Sequence, residues 1–238
     1  MPDTVPWDEL GPAFYREWGW PGGTWIPEHL AILGPTGSGK TQFMLTAISE
    51  RCRLSGAHAV VLATKPADNT VTSLAPKGWK LRRSWPPDYG ETQVVFWPPG
   101  QSLTQGQEYA KQRRAVYDFL ADLWKPKANI IIAYDEIAYV ENELGLRRMV
   151  DLYWREARSQ GITICASTQR PRNVSRQMHS NPSWSVAFKP DDEDDAKRVG
   201  EILGSRRNYG PILMQLEPYQ FLLVRRRTQD AYVSKLTP

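Results

Sequence analysis

Eight consecutive residues, three of them glycines, carry the most specific chemistry in this sequence. They follow a short apolar segment that ends at Leu33 and precede a helical segment that begins at Gln42. Glycines let the backbone turn its N–H groups inward around phosphate oxygens, a lysine reaches the β- and γ-phosphates, and a hydroxyl can hold Mg²⁺. The pattern is that of a P-loop and predicts ATP and Mg²⁺ as cofactors, bound by Gly34, Pro35, Thr36, Gly37, Ser38, Gly39, Lys40 and Thr41.

Two adjacent carboxylates, Asp135 and Glu136, follow an apolar segment that starts at Asn129. This order is typical of a Walker B segment, in which the first carboxylate completes the Mg²⁺ shell and the second polarises the water that attacks the γ-phosphate. A kinase positions an acceptor hydroxyl and does not need the second carboxylate, whereas a hydrolytic motor does. We therefore expect Thr41 and Asp135 to hold the metal, and Glu136 and Lys40 to be catalytic.

A third polar group, Thr168 to Arg170, ends another apolar segment, residues 162–167. In an open α/β sheet, ligands bind at the carboxyl ends of the strands. These side chains are therefore expected at the ligand-binding edge of the sheet.

Strands and helices that alternate along the chain are predicted to position these groups. Apolar strands are predicted near residues 31–33, 59–63, 93–97, 129–134, 162–167 and 186–188, and helices near 40–54, 105–125 and 144–159, with a further helix ending at 203. Strands without charged residues are typical of parallel sheets that are covered on both faces. The sequence predicts an α/β domain with a mostly parallel central sheet flanked by helices.

The two ends of the chain are predicted to differ from this core. Residues 1–28 are rich in proline, glycine and tryptophan and lack periodicity, which predicts an irregular N-terminal arm before an ATPase domain over residues 29–238. Two apolar runs, 212–216 and 220–224, flank Glu217-Pro218-Tyr219 and predict a C-terminal β-hairpin. The arginines at 225–227 are as compatible with a solvated strand end as with contact to DNA or a neighbouring subunit.

Composition sets few limits on function. The formal charge of +4 and the pI of about 9.0 over 238 residues are compatible with a polyanionic partner but do not by themselves indicate one. Cys52 and Cys165 fall in a predicted helix and a predicted strand, which is typical of buried thiols in a reducing cytoplasm. No apolar run approaches the length of about 18 residues that a membrane helix needs. The sequence therefore predicts a cytoplasmic protein without a membrane segment.

Several short motifs together resemble the motor core of the FtsK/HerA superfamily of DNA-pumping ATPases. After the P-loop and the Asp135-Glu136 pair come Ala157-Arg158-Ser159-Gln160-Gly161-Ile162, Ala166-Ser167-Thr168-Gln169-Arg170-Pro171, and Asn181-Pro182 before Val186-Ala187-Phe188. The resemblance implies a RecA-like sheet with an added catalytic-glutamate strand and ATP-driven movement of DNA through a pore. It also implies a homo-oligomeric ring of roughly five or six subunits.

The same resemblance assigns roles to single residues. By position, Gln169 would be the polar sensor of the γ-phosphate, and Arg158 would be the finger offered to a neighbour's nucleotide. Arg158 is expected to leave the domain near the edge at which Gln169 emerges. The loop past the sensor contains Arg170, Arg172 and Arg176 and is predicted to contact DNA phosphates in the pore.

The acidic run 191–195 lies where FtsK-like motors carry basic, DNA-contacting residues. Carboxylates favour a helix N-terminus, so these acids are predicted to cap the following helix.

The sequence lacks the membrane-spanning and winged-helix regions of FtsK-like translocases and the N-terminal barrel of HerA. It therefore resembles viral genome-packaging motors, which implies action in a host cytoplasm and docking on a portal, capsid or membrane protein. One alternative is a conjugative or plasmid-transfer pump. Another, from a different class, is a P-loop kinase or nucleotide switch that handles no DNA, and a third is a non-motor DNA-binding assembly factor. Stimulation of ATP hydrolysis by DNA would separate these hypotheses.

Overall fold

The computed structural model describes residues 2–65, 73–74, 77–99, 106–203 and 208–236. The strands in this part of the chain are β1 (Asp3–Thr4), β2 (Leu30–Leu33), β3 (His58–Leu62), β4 (Lys80–Arg82), β5 (Gln93–Phe96), β6 (Ile130–Tyr134), β7 (Ile162–Thr168), β8 (Trp184–Phe188), β9 (Gln220–Arg225) and β10 (Asp230–Lys235). The α-helices are α1 (Trp7–Glu17), α2 (Lys40–Ser55), α3 (Gly106–Leu123), α4 (Arg147–Glu156), α5 (Arg176–Ser180), α6 (Glu193–Ile202) and α7 (Gly210–Gln215).

All of these strands belong to one sheet, in the order β1-β10-β9-β8-β2-β7-β6-β3-β5-β4. Neighbours from β8 to β4 run parallel, whereas β9 is antiparallel to both β8 and β10. The P-loop follows β2, the Asp135-Glu136 pair follows β6, and β7 lies between them as the added strand. The predicted RecA-like α/β fold, with a mostly parallel sheet and a C-terminal hairpin, is confirmed.

Helices cover both faces of the sheet, and the side chains of β2 alternate between the two layers. Ala31 and Leu33 pack in a cluster with apolar residues of α3, α4, α6 and α7, while Leu30 and Ile32 pack in a second cluster with those of α1 and α2. Covering both faces in this way is typical of parallel sheets. Since helices cover both faces, the loops that carry the predicted site residues lie together at the carboxyl ends of the central strands.

The prediction of an irregular arm over residues 1–28 is wrong for its central part, because residues 7–17 form α1. Gly11 and Pro12 lower the intrinsic helix propensity of this segment. The helix nevertheless buries Phe14 against the face of the sheet that α2 covers. Trp18, the residue that follows the helix, is buried in the same layer. Burial of these large aromatic rings overrides the local signal, since helix stability in proteins comes mainly from tertiary packing.

A buried arginine of α2 fastens the rest of the arm. The guanidinium of Arg51 lies 4.4 Å from the ring centroids of both Trp18 and Trp25. It donates hydrogen bonds of 2.9 Å to the carbonyl of Ile26 and to the hydroxyl of Thr163. The predicted packing of the arm on the domain is therefore present, although its path is partly helical.

The C-terminal hairpin exists but lies one element later than the sequence predicted. Residues 212–216, predicted as a strand, belong largely to α7, whose first turn contains Pro211. Proline suits the first turn of a helix, where its missing N–H has no partner to lose. The hairpin is formed by β9 and β10.

Arginines 225–227 therefore lie at the end of β9 and in the hairpin turn. Arg225 forms an ion pair with Glu17, and Arg226 donates to the carbonyl of Ile202 at 3.2 Å. No helix among the described residues combines the length and the apolar character needed to cross a membrane.

Candidate active site

The P-loop connects β2 to α2 through backbone conformations that only glycine adopts easily. Gly39 has a φ of 103° and directly precedes the first residue of α2. Gly34 has a φ of 153°, and a Cβ atom there would lie 2.8 Å from the Cβ of Phe188. No described side chain caps α2, and its first turn contains no acidic residue. The N-terminal N–H groups of this helix can therefore bind an anion, as the sequence predicted.

Lys40 reaches across the loop that it terminates. Its side chain is buried, and Nζ donates a hydrogen bond of 2.6 Å to the carbonyl of Pro35. Burial lowers the pKa of Lys40, while the negative charges of Glu136 and Asp135 oppose this shift. The ammonium is thus held over the P-loop, at the position from which it can contact phosphate oxygens.

The two residues predicted to hold Mg²⁺ lie together. Thr41 Oγ1 donates a hydrogen bond of 2.6 Å to Oδ1 of Asp135, which is buried at the end of β6. Mg²⁺ prefers oxygen ligands and is commonly held by one or two carboxylates together with water and phosphate oxygens. This hydroxyl and this carboxylate fit such a site.

Lys65 is a site residue that the sequence analysis missed. It follows the end of β3 and forms an ion pair with Oδ2 of Asp135. The contact arises because β3 is the neighbour of β6 in the sheet. A lysine just past a strand end was the available signal, but the order of the strands, which brings the two residues together, cannot be read from local spacing.

Glu136 is held in a fixed orientation by two donors from β7 and the residue after it. The Thr168 hydroxyl donates to Oε1 at 2.7 Å, and the backbone N–H of Gln169 donates to Oε2 at 3.0 Å. Burial raises the pKa of Glu136, whereas these hydrogen bonds oppose the rise. The Gln169 side chain accepts a 2.7 Å hydrogen bond from Thr36 and so links the P-loop to the segment that orients Glu136.

A cavity of about 360 Å³ opens where these elements meet. Most of its lining residues belong to the P-loop or to the predicted metal and sensor positions. The lining is Thr36, Gly37, Gly39, Lys40, Thr41, Gln42, Lys65, Asp135, Gln169 and Tyr219. The structure therefore brings together the predicted phosphate-binding, metal-binding and sensor residues, and adds Lys65 and Tyr219 to them.

No protein-family model matches the sequence, and no curated protein matches it. Solved structures do match. The DNA-packaging ATPase B204 of Sulfolobus turreted icosahedral virus superposes with a TM-score of 0.65 at 13% identity, over 90% of this chain and 99% of B204. VirB4 of Thermoanaerobacter pseudethanolicus gives 0.67 at 9% identity, over 88% of this chain and 89% of VirB4. The chain has the fold of the P-loop ATPases.

A further match with this P-loop ATPase fold is TcpA, the pCW3 conjugation coupling protein, with a TM-score of 0.56 at 18% identity over 98% of this chain and 69% of TcpA. B204 of Sulfolobus turreted icosahedral virus 2 has been solved with AMPPCP and with ATP-gammaS. At these identities the likeness establishes the fold alone. The resemblance to the FtsK/HerA motor core is thus confirmed at the level of the fold.

Arg158 does not lie where the sequence analysis expected it. It belongs to the helical turn Ala157–Gln160 that precedes β7, whereas Gln169 follows the other end of that strand. The seven residues of β7 span roughly 20 Å at the usual rise per residue. The expectation that the two side chains emerge at the same edge is wrong, because a strand delivers its two ends to opposite edges of the sheet.

The predicted DNA loop lies past the carboxyl end of β7 and contains Arg170, Arg172 and Arg176. Arg172 forms ion pairs of 3.2 Å with Asp195 and 3.5 Å with Asp194, in the first turn of α6.

The acidic run before and within α6 caps that helix. Asp192 accepts a hydrogen bond of 2.7 Å from the N–H of Asp195. The predicted capping role of the acids is thus confirmed, and they also neutralise one arginine of the adjacent loop.

Proposed function

We propose that this protein is an ATP-hydrolysing DNA translocase that acts as a homo-oligomeric ring, and that it is a viral genome-packaging motor. The observation that carries the proposal is the position of Glu136, a half-buried carboxylate fixed by Thr168 and Gln169 beside the Thr41–Asp135 pair. A kinase does not need a carboxylate oriented there. A P-loop ATPase that activates water does.

In this proposal the triphosphate of ATP lies in the P-loop, with the N–H groups at the start of α2 and the ammonium of Lys40 on its oxygens. Thr41 and Asp135 would hold Mg²⁺, which would neutralise part of the negative charge of the triphosphate. Glu136 orients a water molecule and accepts its proton as the water attacks the γ-phosphorus. Gln169 senses whether the γ-phosphate is present and passes this state to the P-loop through Thr36 and to Glu136 through its backbone N–H.

The proposed DNA contacts are ionic. Residues 170–176 leave the same sheet edge as Gln169, so a change at the γ-phosphate has a direct route to the arginines of that loop. Contacts of arginine with phosphate are independent of sequence, as a packaging or transfer motor requires.

We assign residues 29–238 to this motor, with residues 1–28 as an arm that packs on it.

The similarity to B204, described as a DNA-packaging ATPase, supports the packaging hypothesis. As a packaging motor the protein would act in a host cytoplasm and dock on a portal, capsid or membrane protein. The similarity to TcpA, described as a conjugation coupling protein, supports a conjugative pump as the second candidate. The two candidates share the site chemistry and differ in the docking partner.

The test is ATP turnover by the purified protein with and without DNA. Double-stranded DNA, single-stranded DNA and heparin are added at equal total charge, and Glu136→Gln serves as the inactive control. We expect turnover to rise with DNA more than with heparin, because a motor couples hydrolysis to its track. A rate of ATP turnover that does not change when DNA is added would contradict the proposal. Transfer of the γ-phosphate to an acceptor other than water would also contradict it.

A further inference from the structure

An aromatic side chain that the catalytic scheme does not use stands beside the phosphate site. Tyr219 lines the cavity that contains Lys40 and Thr41, and the residue is 40% exposed. It also lines an adjoining cavity of about 430 Å³ on the outer side of the P-loop, together with Phe188, Pro190 and Pro218. The ring therefore lies where the phosphate cradle opens toward a second cavity, whose lining is partly apolar and partly charged.

The order of the strands fixes the direction in which a bound nucleotide must extend. Glu136 and Gln169 follow β6 and β7, on one side of the P-loop strand β2. In the proposed mechanism the γ-phosphate faces that side, because Glu136 and Gln169 act on the attacking water and the γ-phosphate. The nucleoside then points the other way, over β8 toward β9. Tyr219 directly precedes β9, two strands and roughly 10 Å from β2.

The backbone around Tyr219 is held rigidly. Its φ of 63° lies in the left-handed region, which is uncommon for a large side chain and persists only where the surroundings impose it. The N–H of Leu236 donates to the Tyr219 carbonyl at 3.0 Å, and the N–H of Gln220 closes the turn on the carbonyl of Glu217 at 3.0 Å. The backbone that carries the ring is therefore held in one conformation, which lowers the cost of ordering a binding surface there.

We propose that Tyr219 is the platform on which the base of the bound nucleoside triphosphate stacks. The inference rests on the proposed function, since it places the base at the far end of a nucleotide bound in the P-loop. Stacking uses the π-face that every base has, so it gives affinity without strong discrimination between bases. ATP and GTP are therefore expected to bind with similar affinity.

The experiment compares two ligands that differ only in the nucleoside. Binding of ATP and of inorganic tripolyphosphate is measured by calorimetry with Mg²⁺, for the wild type, Tyr219→Phe and Tyr219→Gly. Glycine removes the ring and adopts the left-handed backbone without strain, so this variant is expected to fold. We expect Tyr219→Gly to lose roughly 5- to 150-fold in ATP affinity and nothing in tripolyphosphate affinity, while Tyr219→Phe resembles the wild type.

Tyr89→Ala is the matched control, because its ring is fully exposed and it does not line the cavity. Unchanged ATP affinity in Tyr219→Gly would overturn the inference. So would an equal loss for both ligands, since the turn would then support the P-loop and not the base. A wild type that binds tripolyphosphate as tightly as ATP would also overturn it. A wild type that binds neither ligand would refute the nucleotide site itself.

Discussion

Lys40 and Glu136 both serve the proposed phosphate site, but they act on different atoms. In the proposed mechanism Lys40 would contact phosphate oxygens, whereas Glu136, held by Thr168 and Gln169, would orient the attacking water. We expect Lys40→Ala to lower ATP affinity. Glu136→Gln should still bind ATP but turn it over ~10²–10⁴-fold more slowly, because it loses a positioned base.

Equilibrium binding and single-turnover hydrolysis separate these two effects. Lys80→Ala is the control for Lys40, since Lys80 is an exposed residue of β4, outside the cavity. Hydrolysis by Glu136→Gln at near wild-type rate would remove Glu136 from the catalytic role.

At the scale of single residues, the sequence was sufficient to predict a role where that role depends on neighbouring positions in the chain. The P-loop is contiguous, and the Asp135-Glu136 pair follows its own strand, so both could be recognised from spacing. Lys65 and Tyr219 could not be recognised in this way. Their places at the site depend on which strands become neighbours, and they lie far from the P-loop in sequence.

The loop 170–176 and helix α6 form the element that we expect to meet DNA. Arg172 lies between two possible partners, the carboxylates of Asp194 and Asp195 and an external phosphate. We expect Arg172→Ala and Arg176→Ala each to weaken DNA binding for all sequences alike. Each should flatten the dependence of log affinity on log salt by about one unit. The Asp195→Asn variant should bind DNA more tightly, because Arg172 loses its internal competitor.

The measurement is a salt titration of DNA binding. Arg53→Ala is the control, since Arg53 is an exposed arginine that pairs with Glu50 on α2. An unchanged salt slope in both loop variants would exclude this loop. The contact would then be sought on α3, at Lys111 and Arg114.

A buried carboxylate links the same loop to the helical turn Tyr139–Glu143, which follows β6. Glu141 Oε2 accepts a hydrogen bond of 2.8 Å from the N–H of Ser175, and its side chain is fully buried. Burial raises its pKa to about 7, with Arg147 and the Ser175 bonds opposing the shift and Asp151 adding to it. Because the pKa of Glu141 is higher in the folded state, binding of its proton stabilises the fold, fully so at pH values below the ordinary pKa of glutamate. This contribution is lost as the pH rises to about 7.

Glu141→Gln should therefore gain stability relative to the wild type as the pH rises through this window. Glutamine carries no charge to bury, and its carbonyl still accepts from Ser175. Chemical unfolding at several pH values measures the difference. A constant difference between pH 5 and 8 would show that Glu141 does not titrate in this range.

The errors of the sequence analysis at the level of elements have a common cause. The segment 212–216 is apolar enough for a strand, and residues 7–17 contain Gly11 and Pro12, yet both segments are helical. In each case the packing partner decides. Phe14 of α1 is buried against the layer that holds α2, and Leu213 of α7 is buried in the cluster that also contains residues of α6.

The molecule as a whole presents its phosphate cavity at the carboxyl edge of the sheet and Arg158 at the amino edge. Burial lowers the pKa of His29 to about 3, and the charge of Arg158 contributes to this shift. Arg158 thus lies near the start of β2. The side chain of Arg158 is too short to reach a nucleotide bound in the cavity of its own subunit. Our proposal that it completes a neighbour's site requires a head-to-tail ring, in which opposite faces of successive subunits meet.

We predict that mixing Arg158→Ala with Glu136→Gln, each inactive alone, restores part of the ATPase activity. Some interfaces then combine an intact Glu136 with an intact Arg158 from the neighbour, and an arginine supplied in trans is worth roughly 10³–10⁵-fold in turnover. Subunit exchange is verified by fluorescence transfer between labelled chains. Full activity of Arg158→Ala alone would exclude a role for Arg158 in the neighbour's site. No recovery despite subunit exchange would exclude this role in a ring whose interfaces hydrolyse ATP independently.

The most direct test of a DNA-translocating motor is displacement of a triplex-forming oligonucleotide from a linear duplex. A motor that moves along DNA strips the third strand at a rate that depends on ATP hydrolysis, whereas a bound protein that does not move leaves it in place. We predict displacement by the wild type with ATP, and none by Glu136→Gln or with a non-hydrolysable analogue. ATP hydrolysis stimulated by DNA without any displacement of the third strand would contradict the account.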